Sequence, residues 1–475
     1  MTAVAPVARP EALAAELADL VAVSLDALAA GRAARGGPVP AGPPGRITAD
    51  VDAALGGAVL PETGIGAAAA LTDLVTAVAA GAADPADPAC AAHLHCPPLP
   101  VAVAADLAAS ALNQSLDSWD QAPAATVLEE RVVEALAALA GLPGGGGVIT
   151  TGGTESTCTA LLLARDAAAG PVRIHASGAT HFSVDRAAHL LGLPPVVAVP
   201  VGSGQAVDPA ALAASLAAAP AGERPVVVAT AGTTDLGSID PLPEIVRLVR
   251  AAGGWLHVDA AYGGGLLFSD RRRHLLAGIE AADSVSLDLH KFGWQPAAAG
   301  VLLTRSAAAF GPLARRAAYL NPVDDEEAGY SSLLGRSLRT TRRADVLKIA
   351  VTLRALGRTG LGALVDACCD LAGSAARRIR TEPRLELVAE PLLSTVVFRY
   401  RGGATAADDP AAGDAVNARL RRRLLREGRA VVGRTELGGR VHLKLTLLNP
   451  QASPADVDAL LDLVLAAGAA EEAAR

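Results

Sequence analysis

Lysine is scarce in this chain of 475 residues, which contains 41 Lys plus Arg but only the three lysines Lys291, Lys348 and Lys444. A guanidinium stays protonated, whereas lysine can lose a proton and attack a carbonyl carbon as a neutral amine. Lys291 follows His290 directly after the run SVSLDL, which has the apolar pattern of a strand. A reactive amine at a strand end is one interpretation. The other is that a few lysines remain in an Ala- and Arg-rich composition without a special role.

A second segment with chemical potential is TTGGTESTCTALLLAR, residues 150–165. A strand ends here, two glycines allow a tight turn, and Thr154 and Glu155 open a helix. Free backbone N–H groups at a helix start, together with a threonine hydroxyl, suit an anion. The spacing matches neither a P-loop nor a dinucleotide-binding fingerprint. An ordinary capped turn is the alternative.

The segment WLHVDAAYGG places Asp259 at the end of an apolar strand, where an unpaired acid costs several kcal/mol of desolvation. Asp259 is therefore either a buried structural acid or the partner of a cationic heterocycle nitrogen. An anion cradle, a carboxylate and a lysine at strand ends of one sheet are what pyridoxal 5'-phosphate (PLP) requires. The phosphate needs N–H donors, the pyridine nitrogen needs an acid, and the aldehyde needs an amine.

Composition limits the classes of protein that the chain can represent. The net charge of -8 argues against a nucleic-acid-binding surface. Five cysteines in a long chain, with spacing that suits neither a disulfide framework nor a zinc site, predict a reducing compartment and a cytoplasmic protein. We expect no bound metal. We see no signal peptide and no run of ~20 strongly apolar residues, so we expect no membrane span.

The order of patterns predicts an α/β fold. Between about 147 and 304, seven short β-rich runs alternate with helical patterns, which indicates a mostly parallel sheet covered on both faces. Ligands of such sheets bind at the carboxyl ends of strands. Helical patterns precede this region, and an α+β pattern follows it. We expect an N-terminal helical arm over 1–85, a large domain over 86–345 and a small C-terminal α+β domain over 346–475.

The chain resembles the group II PLP-dependent amino-acid decarboxylases over roughly residues 85–460. The resemblance is strongest to the diaminobutyrate and lysine decarboxylase branch of bacterial diamine and siderophore pathways. The segments that carry it are HLHCPPLP, NQSLDSWDQAPAATVLE, TTGGTESTCTALLLAR, HVDAAYGG, LDLHKFGWQ, YLNP, RTTRRADVLK and LKLTLLNP. It implies the PLP-dependent transferase fold of type I, with a seven-stranded sheet, PLP as cofactor, and a homodimer with residues of both subunits at each active site.

The resemblance also implies roles for individual residues. Lys291 would bind the PLP aldehyde covalently, and Asp259 would keep the pyridine nitrogen protonated. His181 would stack on one face of the ring and Ala261 would pack against the other. The remaining cofactor contacts would come from Gly153, Thr154, Thr234 and His290.

Substrate contacts are expected from four residues: His93, His95, Gln295 and Lys444. Lys444 stands where relatives carry an arginine for the substrate carboxylate, and a surface lysine is the alternative. Tyr330 lies in a polar loop where relatives carry a mobile catalytic tyrosine, so it, His181 or a water would protonate Cα. The acidic run at 324–327 would attract an ammonium group or would simply be solvated.

We expect decarboxylation of L-2,4-diaminobutyrate to 1,3-diaminopropane. Lysine, ornithine, aromatic or acidic amino acids, and a decarboxylating aldehyde synthase, are the alternatives.

Overall fold

The computed structural model describes residues 10–202, 204–314, 317, 319–402 and 410–474, so residues 1–9 of the expected N-terminal arm lie outside the described part. The helices are α1 Pro10–Arg35, α2 Pro44–Leu55, α3 Ala67–Gly81, α4 Pro100–Leu112, α5 Pro123–Leu139, α6 Gly153–Asp166, α7 Ser183–Leu190, α8 Pro209–Ala217, α9 Leu242–Ala251, α10 Val323–Glu327, α11 Val346–Thr381, α12 Pro410–Arg426 and α13 Pro454–Ala473. The strands are β1 Cys90–Ala91, β2 Gly146–Thr150, β3 Val172–Ser177, β4 Val197–Val199, β5 Arg224–Thr230, β6 Trp255–Ala260, β7 Ser284–Asp288, β8 Gly300–Thr304, β9 Leu385–Leu387, β10 Thr395–Tyr400, β11 Val431–Leu437 and β12 Arg440–Thr446.

The large sheet contains, among the described residues, seven strands in the order β2-β8-β7-β6-β5-β3-β4. Strands β7, β6, β5, β3 and β4 are parallel to one another, and β8 runs antiparallel to both β7 and β2. Every residue of β6 and β7 is buried, as expected for strands covered on both faces. The predicted mostly parallel sheet is confirmed, and each of the seven β-rich runs forms one of its strands.

The register of this sheet brings three strand ends together. Because β2 and β7 both pair with β8 in antiparallel fashion, they run in the same direction. Gly300 of β8 lies between Thr150, the last residue of β2, and Asp288, the last residue of β7. Asp259 of β6 pairs in turn with Ser286 of β7. One edge of the sheet therefore carries the acid, the lysine turn after β7 and the glycine turn after β2.

The small domain is built on a second sheet with the order β1-β11-β12-β10-β9. Its core includes apolar residues from β10, β12, α12 and α13. The sequence did not predict β1, a strand of two residues at Cys90–Ala91 that pairs in parallel with β11. Residues just after the N-terminal arm thus belong to the sheet of the C-terminal domain, which places their neighbours close to the junction of the two domains.

Helix α11 connects the two cores. It begins at Val346, where we expected the small domain to begin, and it is interrupted at Gly357, whose φ of 64° is left-handed. Residues from Val346 to Cys369 pack in the core of the large domain, whereas residues from Leu371 onward pack in that of the small domain. The adjacent cysteines Cys368 and Cys369 are buried in this interior as small apolar groups.

The N-terminal arm packs α1 against α3, and α2, which lies between them in the chain, also contacts α3. The sequence did not predict α2, because its apolar content is low and a Pro/Gly-rich segment precedes it. Helices α1 and α3 expose several large apolar side chains to solvent, including Leu25, Leu74 and Val78. No helix within the described ranges has the length and apolar character to span a membrane.

Candidate active site

A cavity of about 400 Å³ lies at the edge of the large sheet, next to the small domain. This volume is in the usual range for a small-molecule site. Ten of the residues predicted from the sequence line it: His93, Gly153, Thr154, His181, Thr234, Asp259, Ala261, His290, Lys291 and Lys444. Residues more than three hundred positions apart in the chain are therefore brought to one site.

Lys291 lies in the turn directly after β7, and its ammonium contacts Asp288, a site residue that the sequence did not predict. The Lys291 Nζ atom is 2.8 Å from Oδ2 of Asp288, the last residue of the strand. His290 Nε2 is 3.6 Å from the same oxygen. Burial lowers the pKa of His290, although the Asp288 carboxylate acts in the opposite direction. The turn thus holds a lysine, a neutral imidazole and a carboxylate around one point.

Asp259 is held at the end of β6 by two donors. The backbone N–H of Ala261 and the hydroxyl of Ser286 both donate to Oδ1, at 3.0 and 3.1 Å. Among the described residues Oδ2 has no hydrogen-bond partner, so this oxygen is left for a ligand in the cavity. Beneath it on the same strand face, His257 is fully buried, and burial lowers its pKa to about 4. A neutral His257 does not compensate the Asp259 charge.

The glycine turn between β2 and α6 forms the floor of the cavity beside Lys291. Gly152 has φ 150° and ψ -178°, a conformation that is essentially restricted to glycine. A Cβ atom at Gly152 would lie 3.0 Å from His290 Cε1, and one at Gly153 would lie 3.0 Å from the Cβ of Ala261. The turn therefore leaves room that side chains would fill, next to the N-terminus of a 14-residue helix.

His181 contributes an imidazole to the cavity from the segment just before α7. Its Nδ1 accepts a hydrogen bond from the backbone N–H of Ser183 at 3.3 Å and is 2.8 Å from the Ser183 hydroxyl. Burial lowers the pKa of His181, with the Asp259 carboxylate opposing that shift. The ring is thus neutral and held in one orientation, as a side chain that packs against a planar ligand requires.

The small domain contributes Lys444 from β12. Its ammonium donates to the backbone carbonyl of Thr234 at 3.0 Å and lies 3.3 Å from Oδ1 of Asp235. A side pocket next to the main cavity shares His93 and Lys444 with it and is also lined by Arg421 and Arg434. Glu436 also lines this side pocket and pairs with Arg434 at 2.6 Å. The three cationic side chains Lys444, Arg421 and Arg434 still outnumber the acids Asp235 and Glu436, so this end of the site suits a carboxylate.

Three predicted site residues do not line the cavity in the described part of the chain. Gln295 is buried behind the lysine turn, where its amide donates to the Gly293 carbonyl and to Thr352 Oγ1, so the expectation of a substrate contact is corrected to an internal one. His95 is exposed outside the cavity. Tyr330 is also exposed, and its ring packs edge-on against Trp119 with centroids 6.2 Å apart.

The sequence did not predict ten further residues that line the cavity, among them Gly152, Thr230, Tyr262 and Asp288. Asp288 had a signal, because an acid at the end of an apolar strand needs a partner just as Asp259 does. Tyr262 had none, since its hydroxyl bonds with Ser394 and Thr395 of the small domain, a contact that only the fold creates.

This fold and site define a class of protein. Residues 60–401 match the family described as pyridoxal-dependent decarboxylase conserved domain, and the chain belongs to that family.

Individual relatives make the comparison more specific. The chain is 47% identical over 414 residues to an L-2,4-diaminobutyrate decarboxylase of Rhizobium meliloti (strain 1021), which covers 85% of this chain and 83% of the relative. The structure of this chain is similar to the glutamate decarboxylase domain of a diaminobutyrate-pyruvate transaminase and L-2,4-diaminobutyrate decarboxylase from Vibrio parahaemolyticus. The TM-score is 0.85, with 33% identity over 97% of both chains. The Oryza sativa TDC solved with PLP and tryptamine superposes with a TM-score of 0.88 at 27% identity, over 98% of this chain and 99% of that one. The resemblance to the diaminobutyrate branch is thereby confirmed.

The residues present fit PLP. The glycine turn leaves space and helix N–H groups for a phosphate, Asp259 Oδ2 is left for the ring nitrogen, and Lys291 lies on the same side of the cavity. Within the described ranges, no three His, Cys, Asp or Glu side chains are grouped so as to hold a metal ion.

Proposed function

We propose that this chain decarboxylates L-2,4-diaminobutyrate to 1,3-diaminopropane with PLP as cofactor. The choice of substrate rests on the 47% identity, over most of both chains, to an L-2,4-diaminobutyrate decarboxylase. The cavity supports the class of reaction, because a lysine, an acid and an anion cradle converge there.

When bound, PLP supplies an electron sink for the electron pair that remains on Cα after carbon dioxide leaves. The chain's own residues set up that chemistry. Lys291 would hold the cofactor aldehyde, and Asp259 Oδ2 would keep the ring nitrogen protonated. His181 and Ala261 would pack against the ring, and the turn at Gly153, Thr154 and His290 would hold the phosphate. Thr234 would contact the cofactor from the loop after β5.

The substrate carboxylate is bound at the end of the cavity rich in positive charge. Lys444 and His93 line that end, and Arg421 lies beyond them with no carboxylate partner among the described residues. Binding the carboxylate there orients the bond that breaks. The distal ammonium then points away from these cations, because like charges at close range are unfavourable.

We propose Tyr330, His181 or a water as the group that delivers the proton to Cα. His181 lines the cavity of its own chain. Tyr330 does not, so its participation requires the loop around α10 to reach a cavity, either its own or that of a partner subunit.

We also propose that the protein is a cytoplasmic homodimer, with an arm over 1–85 that packs on the partner subunit, a large domain over 86–345 and a small domain over 346–475. The exposed apolar side chains of α1 and α3 support the dimer, and so does Phe182. That ring is 56% exposed although it directly follows His181.

The test of the substrate is a product analysis. Purified protein with PLP is incubated with diaminobutyrate, lysine, ornithine, glutamate, aspartate or tyrosine, and the amine, carbon dioxide and oxygen consumption are measured. We expect 1,3-diaminopropane with one carbon dioxide per amine and no oxygen consumed. An aldehyde with oxygen uptake, or a faster reaction with another amino acid, would overturn the proposal.

A further inference from the structure

Asp288 is an acidic residue of the cavity to which the family resemblance assigns no role. It is buried, with its Oδ2 atom 2.8 Å from Lys291 Nζ and 3.6 Å from His290 Nε2. Its other oxygen, Oδ1, is buried and has no hydrogen-bond partner among the described residues. The Lys291 ammonium is therefore the counter-charge of this carboxylate.

The same carboxylate lies directly against the glycine turn. A Cβ atom at Gly152 would be 3.5 Å from Asp288 Oδ1, and a Cβ atom at Gly153 would be 3.4 Å from Oδ2. An anion held by this turn consequently lies beside a buried carboxylate. Two like charges at such a distance repel strongly in a partly buried site.

His290 presents a hydrogen-bond donor to Asp288 and, as a neutral ring, does not supply the proton that would remove the carboxylate charge. The backbone N–H of Ala299 donates to His290 Nδ1 at 3.2 Å, so the proton of the neutral ring is on Nε2, the nitrogen that faces Asp288. His290 Nε2 is thus a hydrogen-bond donor toward the carboxylate or toward a bound anion.

The amine of Lys291 must also be deprotonated before it can react with an aldehyde. As an ammonium paired with Asp288, its nitrogen has no lone pair for an aldehyde carbon. It must lose a proton first, and Asp288 Oδ2 lies within hydrogen-bond distance of Nζ.

We propose that Asp288 is the proton acceptor that couples cofactor capture to the neutralisation of the anion cradle. One N–H bond of the Lys291 ammonium breaks, and its proton goes to Asp288 Oδ2 as an O–H bond forms. The freed lone pair attacks the aldehyde carbon and a C–N bond forms. The two protons that remain on the nitrogen then move to the aldehyde oxygen, the C–O bond breaks, and the oxygen leaves as water. The same transfer makes the lysine nucleophilic and removes the negative charge beside the phosphate.

The charged surroundings of Asp288 are limited. Its own turn contributes Lys291 and His290, and His181 and Asp259 face the same cavity from other elements. The nearest acid of α6, Glu155, bonds instead with the Thr151 backbone N–H and with Arg339. Asp288 is therefore the acid that contacts both the lysine and the glycine turn.

The experiment uses the full chain freed of cofactor and compares wild type with Asp288→Asn. The first probe is pyridoxal, which has the aldehyde but no phosphate, and its capture is followed by the visible absorbance of the bound chromophore. Removal of a positioned base should slow capture by about a hundredfold. The second probe is inorganic phosphate, which should bind the variant at least about tenfold more tightly, because the opposing charge is gone.

A third measurement counts protons released to a weakly buffered solution per pyridoxal captured. In wild type Asp288 keeps the transferred proton, whereas in the variant the lysine proton goes to solvent. For the same protonation of the captured product, the count in the variant should therefore exceed that of wild type by one. A purely structural role of Asp288 would leave this difference at zero.

The matched control is Asp345→Asn. Asp345 pairs with Lys348 at the same three-residue spacing, at 3.2 Å and outside the cavity, so this change should leave all three measurements unaltered. Asp288→Ala is the second neutral variant should the Asn variant fail to fold, as judged by circular dichroism. Equal phosphate affinity, equal capture rate or equal proton count in wild type and a folded neutral variant would overturn the proposal. None of these outcomes depends on which amino acid is decarboxylated, so the proposed substrate is tested separately.

Discussion

At the scale of single residues, Asp259 matters because its Oδ2 atom faces the cavity without a partner among the described residues. Asp259→Asn keeps the shape and an acceptor for Ala261 N–H but cannot hold a proton on a ring nitrogen, so kcat should fall about a hundredfold to a thousandfold. Steady-state decarboxylation measures it. Ser286→Ala, which removes one hydrogen bond that a neutral hydroxyl donates to the same side chain, should cost about tenfold or less. Comparable losses in the two variants would contradict the role of the charge.

Lys291 is the second prediction at this scale. Borohydride reduction of the cofactor-loaded protein, followed by peptide mass mapping, should place the label on Lys291, because its amine lines the cavity while Lys348 is paired outside it with Asp106 and Asp345. Lys291→Ala should take no label and should lose activity by several powers of ten, on the order of 10³ or more. A label on Lys444 would show that the lysine of the small domain is the covalent one.

Residue types and spacing predicted ten of the twenty residues that line the cavity, because the relevant side chains follow strand ends, and strand ends of a parallel sheet meet at one edge. The sequence-based prediction failed for residues whose position in the fold depends on packing between distant segments. Gln295 is four residues from Lys291, yet the chain turns and buries it against Thr352 of α11. Tyr330 lies on a loop whose path the sequence pattern does not determine.

At the scale of secondary-structure elements, the junction of β2 and α6 is the most constrained point. Gly152→Ala should weaken PLP binding at least tenfold, because the new Cβ meets His290 Cε1 at 3.0 Å and the backbone conformation disfavours any side chain. Titration followed by cofactor absorbance measures this. Gly144→Ala is the control, since Gly144 also has a positive φ of 76° but nothing lies within 4 Å of its Cβ position. Equal PLP affinity in the two variants would show that the glycine turn does not contribute to PLP binding.

A buried ion pair joins α5 to β2 and to the segment before α11. Arg342 Nη1 is 2.8 Å from Glu129 Oε1 and also donates to the Ile149 carbonyl, and both side chains are 2% exposed. Glu129→Ala should destabilise the protein by about 3–5 kcal/mol, because it leaves a buried charge unpaired. Arg131→Ala on the same helix removes an exposed pair with Glu134 and should cost about 0–1 kcal/mol. Denaturant unfolding of the two variants checks the difference, and similar midpoints would contradict it.

The elements that the sequence predicted well are those with long apolar runs, such as β5, β6 and α11. It missed α2 and β1 for different physical reasons. Helix α2 follows two prolines and contains no buried residue, so no apolar stripe marks it. Strand β1 has two residues and forms only because it pairs with β11, more than three hundred positions later in the chain. Pairing at such separation leaves no local pattern in the sequence.

At the scale of the whole molecule, the N-terminal arm exposes more apolar surface than an isolated subunit can easily tolerate. Leu25, Ile65 and Val78 are each at least 60% exposed, and a groove of about 1260 Å³ runs between the arm helices. We expect Leu25→Asp combined with Val78→Asp to convert the proposed dimer to monomer and to abolish decarboxylation with it, because the resemblance implies that both subunits contribute to each site. Light scattering coupled to gel filtration gives the mass, and activity is measured on the same fractions. Leu392→Asp, at a 43% exposed position of the small domain, should remain dimeric and active. A double variant that stays dimeric would show that the subunits meet elsewhere, and an active monomer would show that one chain alone completes the site.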